Sequence, residues 1–166
     1  MPVDVSAIFD AEPGALFIMR NIANLVPPYE PEGKFHGTSA AIEYAALVLK
    51  VPHIIVLGHS RCGGVIAYRE SVRSRKEESG FIGRWLALLD DAKVAENDIA
   101  EHRGETAFEL AAIRASLAHL GDFPFIRDRE QAGMLSLHGL HFDIGSGKLI
   151  ELDTIGSRFV KLGDTG

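Results

Sequence analysis

Two short apolar runs with a helix-forming segment between them constrain the fold of this chain most strongly. Residues 15–20 follow the turn residues Pro13 and Gly14, and residues 53–57 end at Gly58. Short apolar or β-branched runs bounded by Gly and Pro are typical of buried strands. Residues 40–50, which lie between the two runs, are rich in good helix formers. This order predicts parallel strands joined by a right-handed crossover, with ligands beyond the carboxyl ends of the strands.

The second half of the chain continues the mixture of helix and strand patterns. Apolar residues recur at helical spacing in residues 81–90 and 106–120, and Gly121 is expected to end the second helix. Residues 134–144 and 148–152, which flank a Gly-Ser-Gly turn, have the pattern of a hairpin. The 166 residues suffice for one ordinary domain, so the sequence predicts a single α/β domain over residues 1–166.

Composition and charge exclude several classes of function. The formal net charge is -6, and the one basic run, residues 69–76, is followed directly by Glu77 and Glu78. A nucleic-acid surface needs clustered Lys and Arg, so we expect no nucleic-acid partner. No stretch reaches the 18 or so apolar residues of a membrane span, and residues 1–30 lack the pattern of a signal peptide. We therefore expect a cytoplasmic protein with no membrane partner.

The segment that carries chemistry is Gly58-His59-Ser60-Arg61-Cys62-Gly63-Gly64, which follows the predicted strand. It places an imidazole and the only thiol of the chain two residues apart. Zinc favours these two ligand types, and the flanking glycines allow the backbone to bend tightly. A single cysteine forms no internal disulfide, so Cys62 is available for packing, nucleophilic chemistry or metal binding.

The same segment permits a second hypothesis, a serine hydrolase that uses Ser60. Its pattern resembles the G-x-S-x-G nucleophile elbow, although Cys62 stands where that motif has its last glycine. Asp143 and either His138 or His141 would have to complete a triad. The two histidines lie three apart in a predicted strand, so we expect them on opposite faces and poor as joint metal ligands. These residues alone leave the zinc and the serine hypotheses open.

Three motifs in register resemble the β-class carbonic anhydrase family. They are residues 17–28 (FIMRNIANLVPP), residues 37–45 (GTSAAIEYA) and residues 58–64 (GHSRCGG). Residues 137–139 (LHG) and 142–147 (FDIGSG) are similar to the closing strands of that family. The resemblance spans about residues 4–153. It implies an α/β fold with a mostly parallel central sheet flanked by helices.

The resemblance also implies a zinc site, of which this sequence carries a part. In the family a cysteine, a histidine and a second cysteine hold Zn²⁺, and His59 and Cys62 match the last two. The first cysteine belongs to a Cys-x-Asp-x-Arg motif that would fall at or before Met1, and neither it nor the Asp–Arg pair is present near this terminus. We therefore expect a truncated start, no catalytic Asp–Arg pair, and a sheet without its first central strand.

The implied function is the reversible hydration of carbon dioxide to bicarbonate. Zinc lowers the pKa of bound water to about 7, so that hydroxide is available to attack carbon dioxide. Phe17, Ile22 and Tyr44 match positions that line the family's apolar substrate cleft, and Gly63 matches one whose backbone N–H faces the substrate. The resemblance further implies a homo-oligomer, a dimer or tetramer. The alternative is a catalytically inactive subunit or binding module of the same family.

Overall fold

The structure is a computed structural model that describes residues 3–32, 36–74, 79–90, 92, 94, 104–153 and 158–162. Four strands form one sheet in the order β1 (His53–His59), β2 (Ser136–Asp143), β3 (Lys148–Asp153) and β4 (Arg158–Lys161). β1 and β2 are parallel, whereas β2 with β3 and β3 with β4 are antiparallel. The α/β class and the predicted hairpin, β2 with β3, are confirmed. The described sheet is mixed rather than mostly parallel, since one of its three pairings is parallel.

Helices are present at the three segments where the sequence predicts them, residues 40–50, 81–90 and 106–120, and further helices lie elsewhere in the described ranges. The helices are α1 (Val5–Phe9), α2 (Gly37–Glu43) with a π-helical continuation (Tyr44–Val48), α3 (Gly63–Ser74), α4 (Gly80–Leu86) with a 3₁₀ turn (Ala87–Leu89), α5 (Glu105–Asp122) and α6 (Pro124–Gln131). α5 passes through Gly121 and ends at Asp122 because Phe123, which precedes a proline, adopts an extended conformation. No helix in the described ranges combines the length and the hydropathy that a membrane span requires.

The predicted strand at residues 15–20 is wrong. These residues form neither strand nor helix, and Leu16, Phe17, Ile18 and Met19 are exposed. A strand needs a neighbour that takes up its backbone N–H and C=O groups, and β1 pairs only with β2 among the described strands. The predicted crossover from residues 15–20 is therefore wrong as well. The parallel pair is β1 with β2, and the chain between them contains α3, α4, α5 and α6.

The long helix α5 packs against one face of the sheet at two glycines. A Cβ atom placed on Gly58 or on Gly139 would lie 2.8 Å from a side-chain atom of Ile113. Ile113, Leu110 and Val56 belong to the larger core cluster of the protein. A second cluster, which includes Cys62, Val65, Leu86 and Ala112, joins α3 and α4 to the N-terminal half of α5. The turn after β1 therefore rests on α5.

Candidate metal centre

The turn between β1 and α3 directs two ligand side chains toward each other. β1 ends at His59 and α3 begins at Gly63. Arg61 has a φ of 58°, in the left-handed region, and this conformation reverses the chain within three residues. The carbonyl of Cys62 accepts the first helical hydrogen bond of α3, from the N–H of Ile66 at 3.0 Å. Cys62 therefore stands at the N-terminal end of α3.

His59 presents one ring nitrogen to the site and fixes the other. Its Nδ1–H donates to the carbonyl of Ser60 at 2.9 Å, which leaves Nε2 as the ligating nitrogen. Histidines that bind metals commonly donate their second ring N–H to a backbone carbonyl in this way. A hydrogen bond with Cys62 raises the pKa of His59, and it outweighs the opposite effect of burial. This hydrogen bond therefore favours the charged form of the imidazole.

Cys62 is buried, yet its thiol is acidified. Burial works to raise the pKa of this thiol, but hydrogen bonds from His59 and from the backbone N–H groups of Val65 and Gly64 hold it below its ordinary value. The two N–H groups lie in the first turn of α3, where the helix dipole also favours a negative charge. The thiolate form that zinc requires is therefore stabilised before any metal binds.

The pair of His59 and Cys62 fits two positions of a tetrahedral zinc site. An imidazole nitrogen and a thiolate are ordinary zinc donors, and the two side chains are close enough to share a hydrogen bond. Among the described residues, no group of three His, Cys, Asp or Glu side chains is arranged to hold a metal ion. The described part of the chain thus offers two candidate protein ligands, His59 and Cys62.

Both ligands line a cavity of about 1010 Å³. The cavity extends along β1, and its lining includes Ile55, Leu57 and the segment from Ala15 to Asn21. Most of these lining side chains are apolar. The site therefore opens onto an apolar space beside the edge of β1 that no described strand pairs.

The four residues predicted to line a substrate cleft lie in two groups. Phe17 and Tyr44 form one, and Ile22 and Gly63 lie near the start of α3. Phe17 lines the cavity, and its ring is 5.8 Å from that of Tyr44, centroid to centroid. Ile22 packs against Gly64, where an added Cβ atom would lie 2.6 Å from the Cγ2 atom of Ile22. Gly63 is exposed at the start of α3. Their role in substrate binding stays a prediction.

The geometry of Ser60 does not suit a nucleophile. Its hydroxyl accepts a hydrogen bond from the backbone N–H of Ile144 at 2.9 Å, and the residue is buried. The left-handed conformation falls on Arg61 rather than on the serine. His141 bonds Glu109, and His138 bonds Glu151 on the other face of the sheet. The two histidines face opposite sides as predicted, and neither forms a triad with Ser60.

Sequence reasoning missed a buried pair beneath the turn, Glu109 and His141. The carboxylate of Glu109 accepts the backbone N–H of Cys62 at 3.1 Å and lies 2.9 Å from Nε2 of His141. Glu109 stands in α5 between Ala107 and Leu110, which are both buried. A carboxylate on the apolar side of a helix was the signal that could have found it.

These features define an α/β protein with a candidate metal centre, and comparison with known proteins gives its family. The family model for carbonic anhydrase matches residues 3–149. The chain is 37% identical to beta carbonic anhydrase 3 of Arabidopsis thaliana, over 91% of this chain and 61% of that protein. The chain belongs to the carbonic anhydrase family, in its β class. It spans less than two thirds of the length of this plant relative.

Solved structures agree with this assignment. The β-carbonic anhydrase CcaA superposes with a TM-score of 0.78 at 32% identity, which covers 96% of this chain and 78% of that one. A structure from a study of two tetrameric β-carbonic anhydrases of Sordaria macrospora has a TM-score of 0.72 at 33% identity and covers 90% and 74%. The β-carbonic anhydrase fold implied by the sequence motifs is therefore confirmed, although the described sheet is mixed rather than mostly parallel.

Proposed function

We propose that this chain contributes the zinc-binding part of an enzyme that interconverts carbon dioxide and bicarbonate. The observation that carries the proposal is the acidified Cys62 beside His59, at the mouth of an apolar cavity. Family membership supports the same reaction. In the proposed site, Nε2 of His59 and the thiolate of Cys62 bind the metal, and Zn²⁺ supplies the Lewis acidity that activates water.

The part of the cavity next to His59 and Cys62 suits a small nonpolar substrate. Carbon dioxide carries no net charge, so an approach lined by apolar side chains binds it without removing water from polar groups. Phe17 and Leu57 line this approach. Gly63 is exposed, and nothing lies within 4 Å of a Cβ atom added to it, so there is room for a ligand beside its backbone N–H. In this account it faces the substrate oxygen.

A third protein ligand enters from outside the described residues in this proposal. Catalytic zinc sites keep three protein ligands and one open position. No described strand pairs the N–H and C=O groups along the edge of β1 that faces the cavity, so a further strand can pair them. Such a strand brings its own side chains beside His59 and Cys62. The third ligand and the Asp–Arg pair of the family belong to it.

A homo-oligomer is the proposed assembly. The apolar patch consists of exposed side chains from two segments, Leu16, Phe17, Ile18, Met19, Leu47, Val48 and Leu49. The two segments meet where the ring of Phe17 lies 5.8 Å from that of Tyr44, and large exposed apolar patches mark interaction sites in soluble proteins. The related Sordaria macrospora proteins are described as tetrameric. A second copy of the chain is the proposed partner for this patch.

The inactive-subunit hypothesis stays the alternative, because the described residues supply two ligands and no group of three. The test is zinc content by elemental analysis together with carbon dioxide hydration by stopped-flow. We expect zinc-dependent hydration that is lost in Cys62→Ser and in His59→Ala. His36→Gln changes a histidine that precedes α2 and does not line the cavity, and it is the matched control. Zinc-dependent hydration would contradict the inactive-subunit hypothesis. No hydration, with or without bound zinc, would overturn the proposed activity of this chain and favour the inactive subunit or binding module.

A further inference from the structure

A buried carboxylate and imidazole lie directly beneath the turn that carries the ligands. The side chains of Glu109 and His141 are 1% and 3% exposed. Oε2 of Glu109 lies 2.9 Å from Nε2 of His141, and Oε1 accepts the backbone N–H of Cys62 at 3.1 Å. One carboxylate oxygen of Glu109 therefore contacts His141 in β2, and the other accepts a hydrogen bond from Cys62 in the turn.

Burial of such a pair is costly. Desolvation of a carboxylate and an imidazole offsets much of their attraction, and apolar residues of similar volume often give equal or greater stability. The surroundings here are apolar, since Ala107, Leu110 and Ala112 of α5 are buried beside Glu109. General stability therefore does not account for the pair. Its contact with Cys62 offers a specific role.

That contact fixes the residue whose side chain is the thiol ligand. The N–H of Cys62 precedes α3 and has no partner within the helix, so the carboxylate of Glu109 satisfies it. With its N–H held by Glu109 and its carbonyl by Ile66, the backbone of Cys62 is fixed at both ends. The direction of the bond from Cα to Cβ, and hence of Sγ, follows from this.

The opposite end of the turn is held in a similar way. The N–H of Ser60 donates to the carbonyl of Phe142 at 2.9 Å, and the Ser60 hydroxyl accepts the N–H of Ile144. His141 is adjacent to Phe142 in β2, so the strand that orients Glu109 also holds Ser60. The turn is thereby attached to β2 at one end and to α5 at the other.

We propose that Glu109, oriented by His141, is a positioning residue that sets the direction of the Cys62 thiolate toward the metal. The inference rests on the proposed function, because it requires Cys62 to be a ligand. Glu109 acts through the backbone of Cys62 and does not itself bind the metal. Groups that orient metal ligands typically change metal affinity by about 10- to 100-fold when they are removed.

A double variant separates positioning from stability. Glu109→Leu with His141→Leu replaces both members of the pair by apolar side chains, which avoids an unpaired buried charge and preserves folding. Co²⁺ replaces zinc as a probe, because a thiolate ligand gives a sulfur-to-cobalt absorption band in the near ultraviolet. We expect the dissociation constant for Co²⁺ to rise by about 10- to 100-fold in the double variant, with a weaker band. Glu109→Gln keeps an acceptor oxygen for the Cys62 N–H and should bind as the unmodified chain does, within about threefold.

A second core variant controls for a general loss of stability, and different results would contradict the positioning role and the proposed function. Ile126→Val removes a methylene from the other core cluster and should lower the urea concentration at the midpoint of unfolding without changing the Co²⁺ affinity. Unchanged Co²⁺ affinity and band in the folded double variant would overturn the positioning role and leave the proposed function intact. Absence of the band in the unmodified chain would instead overturn the proposed function.

Discussion

Cys62 is the residue on which the chemistry of this site depends, and its acidity is set by its immediate neighbours. Burial alone would raise the pKa of the thiol, but His59 and two N–H groups at the start of α3 reverse this effect. The pKa of the imidazole shifts in the opposite direction, since the hydrogen bond with Cys62 raises the pKa of His59. Each side chain stabilises the charged form of the other.

The acidity of Cys62 predicts how fast the metal-free protein reacts with iodoacetamide. Since the thiolate is the reactive form, a lowered pKa gives a larger thiolate fraction below the ordinary thiol pKa of about 8.5. We expect the midpoint of the rate against pH to lie below that of free cysteine. His59→Ala removes the hydrogen bond, so its midpoint should move to higher pH. A His59→Ala profile that overlays the unmodified one would show that the pair does not form.

Sequence reasoning found His59 and Cys62 because they share one short turn. It missed Glu109 and His141 because they are 32 residues apart and meet only through the packing of α5 on β2. A local motif shows which residues are near each other in the sequence, whereas a tertiary contact depends on how α5 packs on the sheet. His141 was considered only as a partner for Ser60 or His138, and the structure places it against α5 instead.

At the scale of elements, the close approach of α5 to β2 holds the buried pair together. An added Cβ atom on Gly139 would lie 2.8 Å from Ile113 Cγ2 and 2.8 Å from Leu117 Cδ1. We expect Gly139→Ala to lower the free energy of unfolding by about 1–3 kcal/mol, the usual cost of overpacking. Urea unfolding of the variant and the unmodified chain measures this difference in the free energy of unfolding.

Gly37→Ala is the control for this substitution. It lies at the start of α2, and nothing is within 4 Å of its added Cβ atom. Its unfolding free energy should change by less than about 0.5 kcal/mol, as for most surface substitutions. Equal and small effects of the two alanines would mean that α5 does not approach β2 as closely as described.

Helices and the closing hairpin were predictable because their signals are local. Helical spacing marked α4 and α5, and the turn residues between β2 and β3 marked the hairpin. Residues 15–20 have the composition of a strand, yet they form none in the described structure. Strand formation requires a partner, and composition does not report whether the partner is present.

At the scale of the whole molecule, exposed apolar side chains predict association between copies. Val48, in the continuation of α2, is 60% exposed and belongs to the apolar patch. We expect Val48→Lys to shift the sedimentation equilibrium toward smaller species, because a charge at a subunit interface must lose its water. The fold should stay intact, since the side chain is exposed in the single chain.

Val72 provides a matched control for that measurement. It is also a valine that is 60% exposed, but it lies in α3, away from the patch. Val72→Lys should leave the association constant unchanged. If both lysines weakened association equally, the effect would reflect net charge rather than the patch, and the proposed interface would be wrong.

The coordination of zinc by His59 and Cys62 is the central claim, and X-ray absorption at the zinc edge tests it most directly. The chain has one cysteine, so each bound zinc is predicted to show one sulfur neighbour at about 2.3 Å and at least one nitrogen at about 2.0–2.1 Å. The sulfur should vanish in Cys62→Ser. A zinc-loaded, folded protein whose metal has only nitrogen and oxygen neighbours would contradict the account.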